Sequence, residues 1–506
     1  MQNPPHYTIL KKLFPIISRT PNASAFEKGV FMTNLRAQLR EASRARLPMI
    51  LAVYILCQPL IDVFTGLGAQ AGHFITMGVV VRALVLVLAF LYAVFVSDFP
   101  GKKRWMIFAG AMVGYLVLFM GYMFTVGGLS LCVSNVREVV KTFFAPFVFL
   151  FLWSVYQEFG YLVTVEAIAW AGGLYASVIP IAAATGTSFY SYGNAGMGYR
   201  GWFYAANEVG CIMALTAPFT IYYCLQVFPT VTKKTWWKAA LAVWALIAVA
   251  ISANFLGTKI IFGFTALYCV AAFVWHLVRA IREPSRAHTI QAVAMAGILL
   301  LTVGMYFGSP FQYYFEGVYN KWLSRPPEAT VETWDEAIAH ACQGTWLYEL
   351  IKSNDTFADI DQILSRRFIG ASPAVQVYTE NGPLAWLLGV GYVTAPSYSR
   401  EMYFMVELDP LAILVRHGVV GFVLYYAPYI AFVVWSVIQF FKRPLQRLED
   451  LGFCTTLYCT LAGFAISVIA GHALVSPAVA TFILVVSMQM WHQVQKQNQL
   501  PKGKNE

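Results

Sequence analysis

The sequence predicts an all-α integral membrane protein of about twelve transmembrane helices, with one large external loop between spans nine and ten. Three observations carry this. Hydrophobic residues make up 58% of the chain and charged residues 12%, with a mean hydropathy of +0.60, far from the balance of a water-soluble domain. The apolar residues fall into runs long enough to cross roughly 30 Å of hydrocarbon, which takes about 20 helical residues. Lysines and arginines cluster between alternate runs, the pattern that orients helices in a bilayer.

Taken in order, residues 1–47 form a basic, partly amphipathic segment in which Phe31, Met32, Leu35 and Leu39 oppose Arg36, Arg40, Arg44 and Arg46. It has no apolar core followed by a small-residue cleavage site, so it reads as a cytoplasmic interfacial helix rather than a signal peptide. Nine spans then fill 48–308, near 48–66, 76–97, 105–127, 139–159, 161–184, 207–228, 237–254, 258–280 and 291–308. Three more fill 410–492, near 411–441, 449–470 and 476–492, before a tail at 493–506. The tenth is expected to open with a short re-entrant helix around 410–418.

Orientation follows from the cations. With the N-terminus inside, the inner segments hold 23 lysines and arginines and the outer segments seven; five more (Arg82, Arg137, Lys141, Lys259 and Arg416) lie in or beside spans. Both termini are therefore expected in the cytoplasm, and residues 309–409 outside. That loop carries thirteen acidic against six basic residues, an early Pro326-Pro327 breaker and a helical pattern over 332–352. Loops of this length in a compact protein are usually functional.

A formal charge of +10 raises the question of nucleic acid, but basic clusters set between apolar spans argue against that partner. The eight cysteines contain no CxxC pair, and neither a disulfide framework nor a metal site is implied. No internal repeat is visible, so the symmetric halves common in transporters are missing from the pattern.

Ionisable groups at bilayer depth cost several kcal/mol unless they face a wet cavity or a partner, which makes them functional candidates. Asp62, Arg82, Arg137, Lys141, Lys259, Glu407, Asp409, Arg416 and His472 qualify, most at the external ends of spans, and Arg200 and Asn207 flank the start of span six. Each could equally be a snorkelling end or a structural ion pair. If they converge on one cavity, Arg200, Arg366 and Arg367 are natural diphosphate ligands, because the planar guanidinium grips phosphate through two hydrogen bonds, with Lys259 as a point charge beside them. Glu407 or Asp409 could take the proton of an attacking sugar hydroxyl. Asp409 could instead cap a helix with Pro410 at its first position. Among weaker patterns, Asn354-Asp355-Thr356 is a chance-prone glycosylation triplet, His340 in the long loop reads as a surface residue on a helix rather than a base, and Gly389-Val390-Gly391 lacks the context of a phosphate cradle.

At these residues the sequence resembles the O-antigen ligase and polymerase family. Tyr199-Arg200-Gly201-Trp202-Phe203-Tyr204-Ala205-Ala206-Asn207-Glu208-Val209-Gly210 is similar to its Arg then Asn-Glu-x-Gly signature, and Gly257-Thr258-Lys259 to the next short motif. After the long loop, Ser365-Arg366-Arg367, Leu388-Gly389-Val390-Gly391, Val406-Glu407-Leu408-Asp409 and Arg416-His417-Gly418-Val419-Val420-Gly421 follow in the family's order. Gln58-Pro59-Leu60-Ile61-Asp62 and Gly471-His472-Ala473-Leu474-Val475-Ser476-Pro477 look like segments of its Gram-positive branch. The resemblance covers nearly the whole chain from about residue 48.

It implies a metal-independent, inverting glycosyltransferase of GT-C type in the bacterial plasma membrane, without a cofactor. The partners would be a lipid-linked oligosaccharide donor, a glycan acceptor and membrane lipids. Arg200, one of Arg366 and Arg367, and Lys259 would hold an undecaprenyl diphosphate, and Asn207, Glu208, Asp62, Arg137 and His472 would support the site. Ligases of the family usually place a histidine just before span ten, where this chain has Met402-Tyr403-Phe404-Met405-Val406-Glu407. An acidic residue would replace it, which favours a polymerase or a ligase with another acceptor. The rival readings are a transporter or flippase of lipid-linked glycans and a scaffold for envelope assembly.

Overall fold

The computed structural model describes residues 25–73, 76–160, 163–191, 197–313, 315–316, 342–364, 367–392 and 406–498. Arg366, His340, Pro326, Pro327 and the Met402–Met405 stretch lie outside them.

The described chain is a helical bundle with one short β-hairpin. In order it comprises α1 (Ala25–Gln70), α2 (Met77–Leu91), α3 (Lys102–Phe159), α4 (Val165–Ala184), β1 (Phe189–Tyr190), β2 (Tyr199–Gly201), α5 (Ala206–Val227), α6 (Trp236–Phe255), α7 (Lys259–Arg282) and α8 (Arg286–Tyr306). The long loop contributes α9 (Trp346–Lys352), α10 (Asp355–Ile363), α11 (Arg367–Glu380) and α12 (Gly382–Leu388). Then come α13 (Asp409–Lys442), α14 (Pro444–Leu448), α15 (Leu451–Ile469) and α16 (Pro477–Asn498).

Ten of these helices are long and apolar enough to cross a membrane. One of the ten is two limbs. At Gly128 the backbone of α3 leaves the helical region (φ 69°), and the Cys132 thiol lies 3.2 Å from the Met120 carbonyl oxygen. In a straight helix twelve residues would separate those groups by about 18 Å, so the chain folds back on itself there. Gly128 supplies the positive φ that such a reversal needs.

The expected interfacial helix at the N-terminus is not separate. Residues 25–70 form one continuous helix, because residues 25–47 contain a single glycine and the bundle tolerates Pro48 and Pro59 within the span. Gly418 adopts φ 62° and divides α13 after its first turns, at the end of the stretch expected as a short re-entrant helix. The helical pattern expected over 332–352 is not one helix in its described part: a turn at 343–345, where Gly344 takes φ 78°, precedes α9.

Helix α16 forms the axis. Every residue from Ala478 to Met490 is buried, against α3, α5 and α15. A helix enclosed on all sides belongs to the core of a bundle. The outer helices instead present apolar side chains outward, as at Leu300 (72% exposed) and Val117 (66%), the surface a hydrocarbon solvent accepts.

Two glycine contacts join segments far apart in sequence. The β1–β2 hairpin docks on the end of α6, where Gly198 and Gly257 meet backbone to backbone with no room for a Cβ on either, and the Ser191 hydroxyl donates to the Leu256 carbonyl at 2.7 Å. Likewise Gly389 lies on the Arg416 carbonyl and Gly418 on Leu387, while the Val390 and Gly391 amides donate to the Val415 and Arg416 carbonyls at 3.0 and 3.1 Å. Carbonyls released by the break in α13 thus find donors in the segment after α12.

Candidate functional site

A cavity of about 630 Å³ opens between α1, α2, the returning limb of α3, the start of α5 and the start of α16. Arg82, Arg137, Lys141 and Glu208 line it, with Tyr204, Ser476 and the apolar side chains of Val79, Leu86 and Phe144. Three cations against one carboxylate, beside apolar walls, suit an anion attached to a hydrocarbon chain.

Arg82 is held from α1. Asp62 and Gln58 stand one turn apart on that helix, the i, i+4 spacing that puts both on one face. Asp62 pairs with the Arg82 guanidinium, the Gln58 amide oxygen accepts from it at 2.9 Å, and the Tyr175 hydroxyl donates to the other Asp62 oxygen. Arg82 and Asp62 are each 8% exposed. Such burial is tolerated because the charges are paired and hydrogen-bonded.

The returning limb of α3 brings the other two cations. Glu138 accepts from Lys141 at 3.1 Å and lies 3.9 Å from Arg137, so one carboxylate stands behind two positive charges. Across the cavity, Glu208 sits in the first turn of α5 within reach of the Ser476 hydroxyl and feels the charges of Asp62, Arg82 and Lys141. Glu208 and Lys141 therefore face each other.

Beside the cavity lies a second group of charges. Arg367 opens α11, whose first amides at Phe368 and Ile369 are capped by the Asp361 carboxylate at 2.7 and 3.4 Å. From there its Nε donates to Glu407 at 2.9 Å and an Nη donates to the Ile469 carbonyl at 2.5 Å. The Asp409 carboxylate accepts the Ala473 and Leu474 amides at 2.9 and 2.6 Å. Asp409 therefore organises the turn before α16 instead of capping its own helix, which starts without a side-chain cap. In that turn Gly471 packs on the Glu407 carbonyl with no room for a Cβ, and His472 takes a left-handed conformation, φ 53°.

His472 joins the two groups. The charges acting on its ring come from Glu407, Arg416, Arg367 and Lys141, the last a cavity residue. Cys211, one turn beyond Glu208 on α5, feels Asp409, Arg367 and Glu208. The start of α5 therefore lies against both groups.

Arg200 and Lys259 are placed differently. On β2, the Arg200 guanidinium donates to the Tyr204 carbonyl and lies 5.7 Å from the Phe189 ring centre, and burial pushes its pKa down. It touches the cavity through Tyr204. Lys259 opens α7 directly after Thr258, whose hydroxyl packs on Gly210 of α5. The sequence motifs around Arg200, Asn207 and Lys259 thus meet, but Arg200 and Lys259 are not among the side chains lining the cavity.

Asp62, Arg137 and Glu208 fall at or behind the cavity wall, and Arg367, Glu407, Asp409 and His472 fall beside it. Sequence reasoning marked Arg82 and Lys141 as costly charges without assigning them to a site, and missed Glu138, Tyr175 and Ser476. The i, i+3 spacing of Glu138 and Lys141 and the i, i+4 spacing of Gln58 and Asp62 were the available signals.

The family model described as O-antigen ligase like membrane protein matches residues 45–496, nearly the whole chain. No curated protein matches it significantly.

Proposed function

Because the chain belongs to the O-antigen ligase like membrane proteins, we propose that it transfers or polymerises undecaprenyl-diphosphate-linked oligosaccharide units at the outer face of the bacterial plasma membrane. Family membership makes it a multi-pass membrane protein with a polysaccharide ligase or polymerase role. The lipid, the leaflet and the mechanism are our reading.

The observation that carries it is the cavity shared by Arg82, Arg137 and Lys141 and walled by apolar side chains. A lipid diphosphate has this profile of charge and chain. Counting α3 as two crossings and adding α16 gives twelve spans with both termini in the cytoplasm, as the distribution of Lys and Arg favours. The cavity then faces outward.

In the proposed metal-independent reaction an acceptor hydroxyl attacks the anomeric carbon with inversion, the bond from that carbon to the diphosphate oxygen breaks, and the lipid diphosphate leaves with the electron pair. Its growing charge needs fixed cations, which contribute a few kcal/mol to such steps. Arg367 and the cavity cations supply them, with Arg200 and Lys259 at the neighbouring motifs and Arg366 outside the described residues.

The test uses purified protein in detergent with the lipid-linked glycan fraction of its native membrane. Formation of a longer or transferred glycan together with free undecaprenyl diphosphate supports the reading. An active flippase in the same assay leaves no covalent product, and that outcome sinks it.

A further inference from the structure

We infer that His472 accepts the proton of the attacking sugar hydroxyl, an assignment that rests on the proposed transfer reaction. Of the two carboxylates beside it, Glu407 holds Arg367 through Oε2 at 2.9 Å, and Asp409, only 1% exposed, holds two backbone amides through Oδ2 with its other oxygen buried out of reach of a substrate hydroxyl. The imidazole of His472 makes no hydrogen bond to any described residue. His472 is exposed to solvent, as expected of a group facing a cleft.

The backbone is built to hold it there. A positive φ in a residue other than glycine is uncommon, and such outliers cluster at functional sites. Here three contacts sustain it: the Asp409 carboxylate on the amides of Ala473 and Leu474, and Gly471 pressed on the Glu407 carbonyl.

The surroundings suit the task. The charged groups facing the ring are Glu407 from the segment before α13, Arg416 from α13, Arg367 from α11 and Lys141 from α3. Enclosure lowers its pKa most, Glu407 acts in the opposite direction, and the three cations lower it further. The ring is therefore neutral near pH 7 and free to accept a proton. As the hydroxyl oxygen bonds to the anomeric carbon, its proton passes to the ring, and Glu407 lies close enough to stabilise the imidazolium. The departing diphosphate takes the electron pair of the broken bond toward Arg367 and Lys141.

The experiment uses the full-length protein in detergent, its native lipid-linked glycan fraction, and release of undecaprenyl diphosphate as the readout across about pH 5 to 8. His472→Asn is the variant of choice, since asparagine tolerates the left-handed conformation but accepts no proton in this range. Turnover should fall about 100-fold, binding of undecaprenyl diphosphate should be unchanged, and the loss of activity on acidification expected of the wild type should be absent. Turnover within about threefold of wild type, against the typical general-base contribution, overturns the assignment, as does an unchanged acid limb. Loss of undecaprenyl diphosphate binding together with turnover also overturns it, making His472 a structural residue. A wild type that releases no undecaprenyl diphosphate overturns the transfer reaction itself.

Discussion

Arg367 and Glu407, forty residues apart in the chain, meet with Nε and Oε2 separated by 2.9 Å, while the same guanidinium holds the Ile469 carbonyl at 2.5 Å. One side chain thus fastens the start of α11, the approach to α13 and the end of α15. Two acceptors in different directions require a fork, which lysine lacks. Arg367→Lys is expected to lose most glycan transfer, and Arg367→Ala all of it. Each should lower stability by about 1 to 3 kcal/mol, the usual size of a lost charge-assisted hydrogen bond. Thermal unfolding in detergent beside the transfer assay checks both. Normal product from Arg367→Ala removes this residue from the site.

Gly471 and Gly186 share φ +67° but not surroundings. A Cβ at Gly186 meets nothing within 4 Å, whereas one at Gly471 runs into the Glu407 carbonyl. Gly186→Ala carries only the left-handed strain, about 1 to 2 kcal/mol. Gly471→Ala adds a backbone clash that forces Glu407 or His472 aside. The first variant is expected to elute as a folded monodisperse protein, and the second to lose that peak or keep it without activity. Equal behaviour of the two places the 471 turn elsewhere.

These contacts mark where sequence legibility ends. The spans could be read because each carries its own evidence in a run of apolar residues, and the reversal inside α3 because two such runs, 105–127 and 139–159, flank it. Continuity of α1 was hidden by composition: the basic segment 1–47 and the apolar run from 48 look like separate elements, yet one helix runs through Pro48 and Pro59. In the site, sequence identifies which charges are costly but not which of them meet. Arg82 finds Asp62 20 residues away, and Arg367 finds Ile469 102 residues away, through helix packing that no local pattern encodes. Arg200 and Arg367 looked alike as phosphate ligands, yet one holds the Tyr204 carbonyl and the other a carboxylate.

The Arg82–Asp62 pair allows structure and function to be separated. Removing one partner of a buried pair leaves an uncompensated charge and costs about 3 to 5 kcal/mol, while replacing both by apolar residues of similar size is often neutral. Asp62→Leu should therefore abolish the folded protein or lower its melting temperature sharply. The double variant Asp62→Leu with Arg82→Met should recover the melting temperature. If Arg82 also binds the donor, the recovered protein binds undecaprenyl diphosphate more weakly than wild type. Full recovery of binding makes the pair purely structural.

Orientation has its own test in two highly exposed side chains. Tyr313, 79% exposed after α8, falls on the external side in the proposed topology, and Leu445, 78% exposed on α14, falls in the cytoplasm. The argument rests on where lysines and arginines collect, since Lys442, Arg443 and Arg447 surround Leu445 while acidic residues dominate the loop after Tyr313. A membrane-impermeant thiol reagent added to intact cells should label Tyr313→Cys above the wild-type background of eight cysteines and leave Leu445→Cys at that background. Permeabilising the cells should make Leu445→Cys reactive. The reverse pattern turns the protein over, moves the cation-lined cavity to the inner leaflet and removes the proposed outer-face reaction with it.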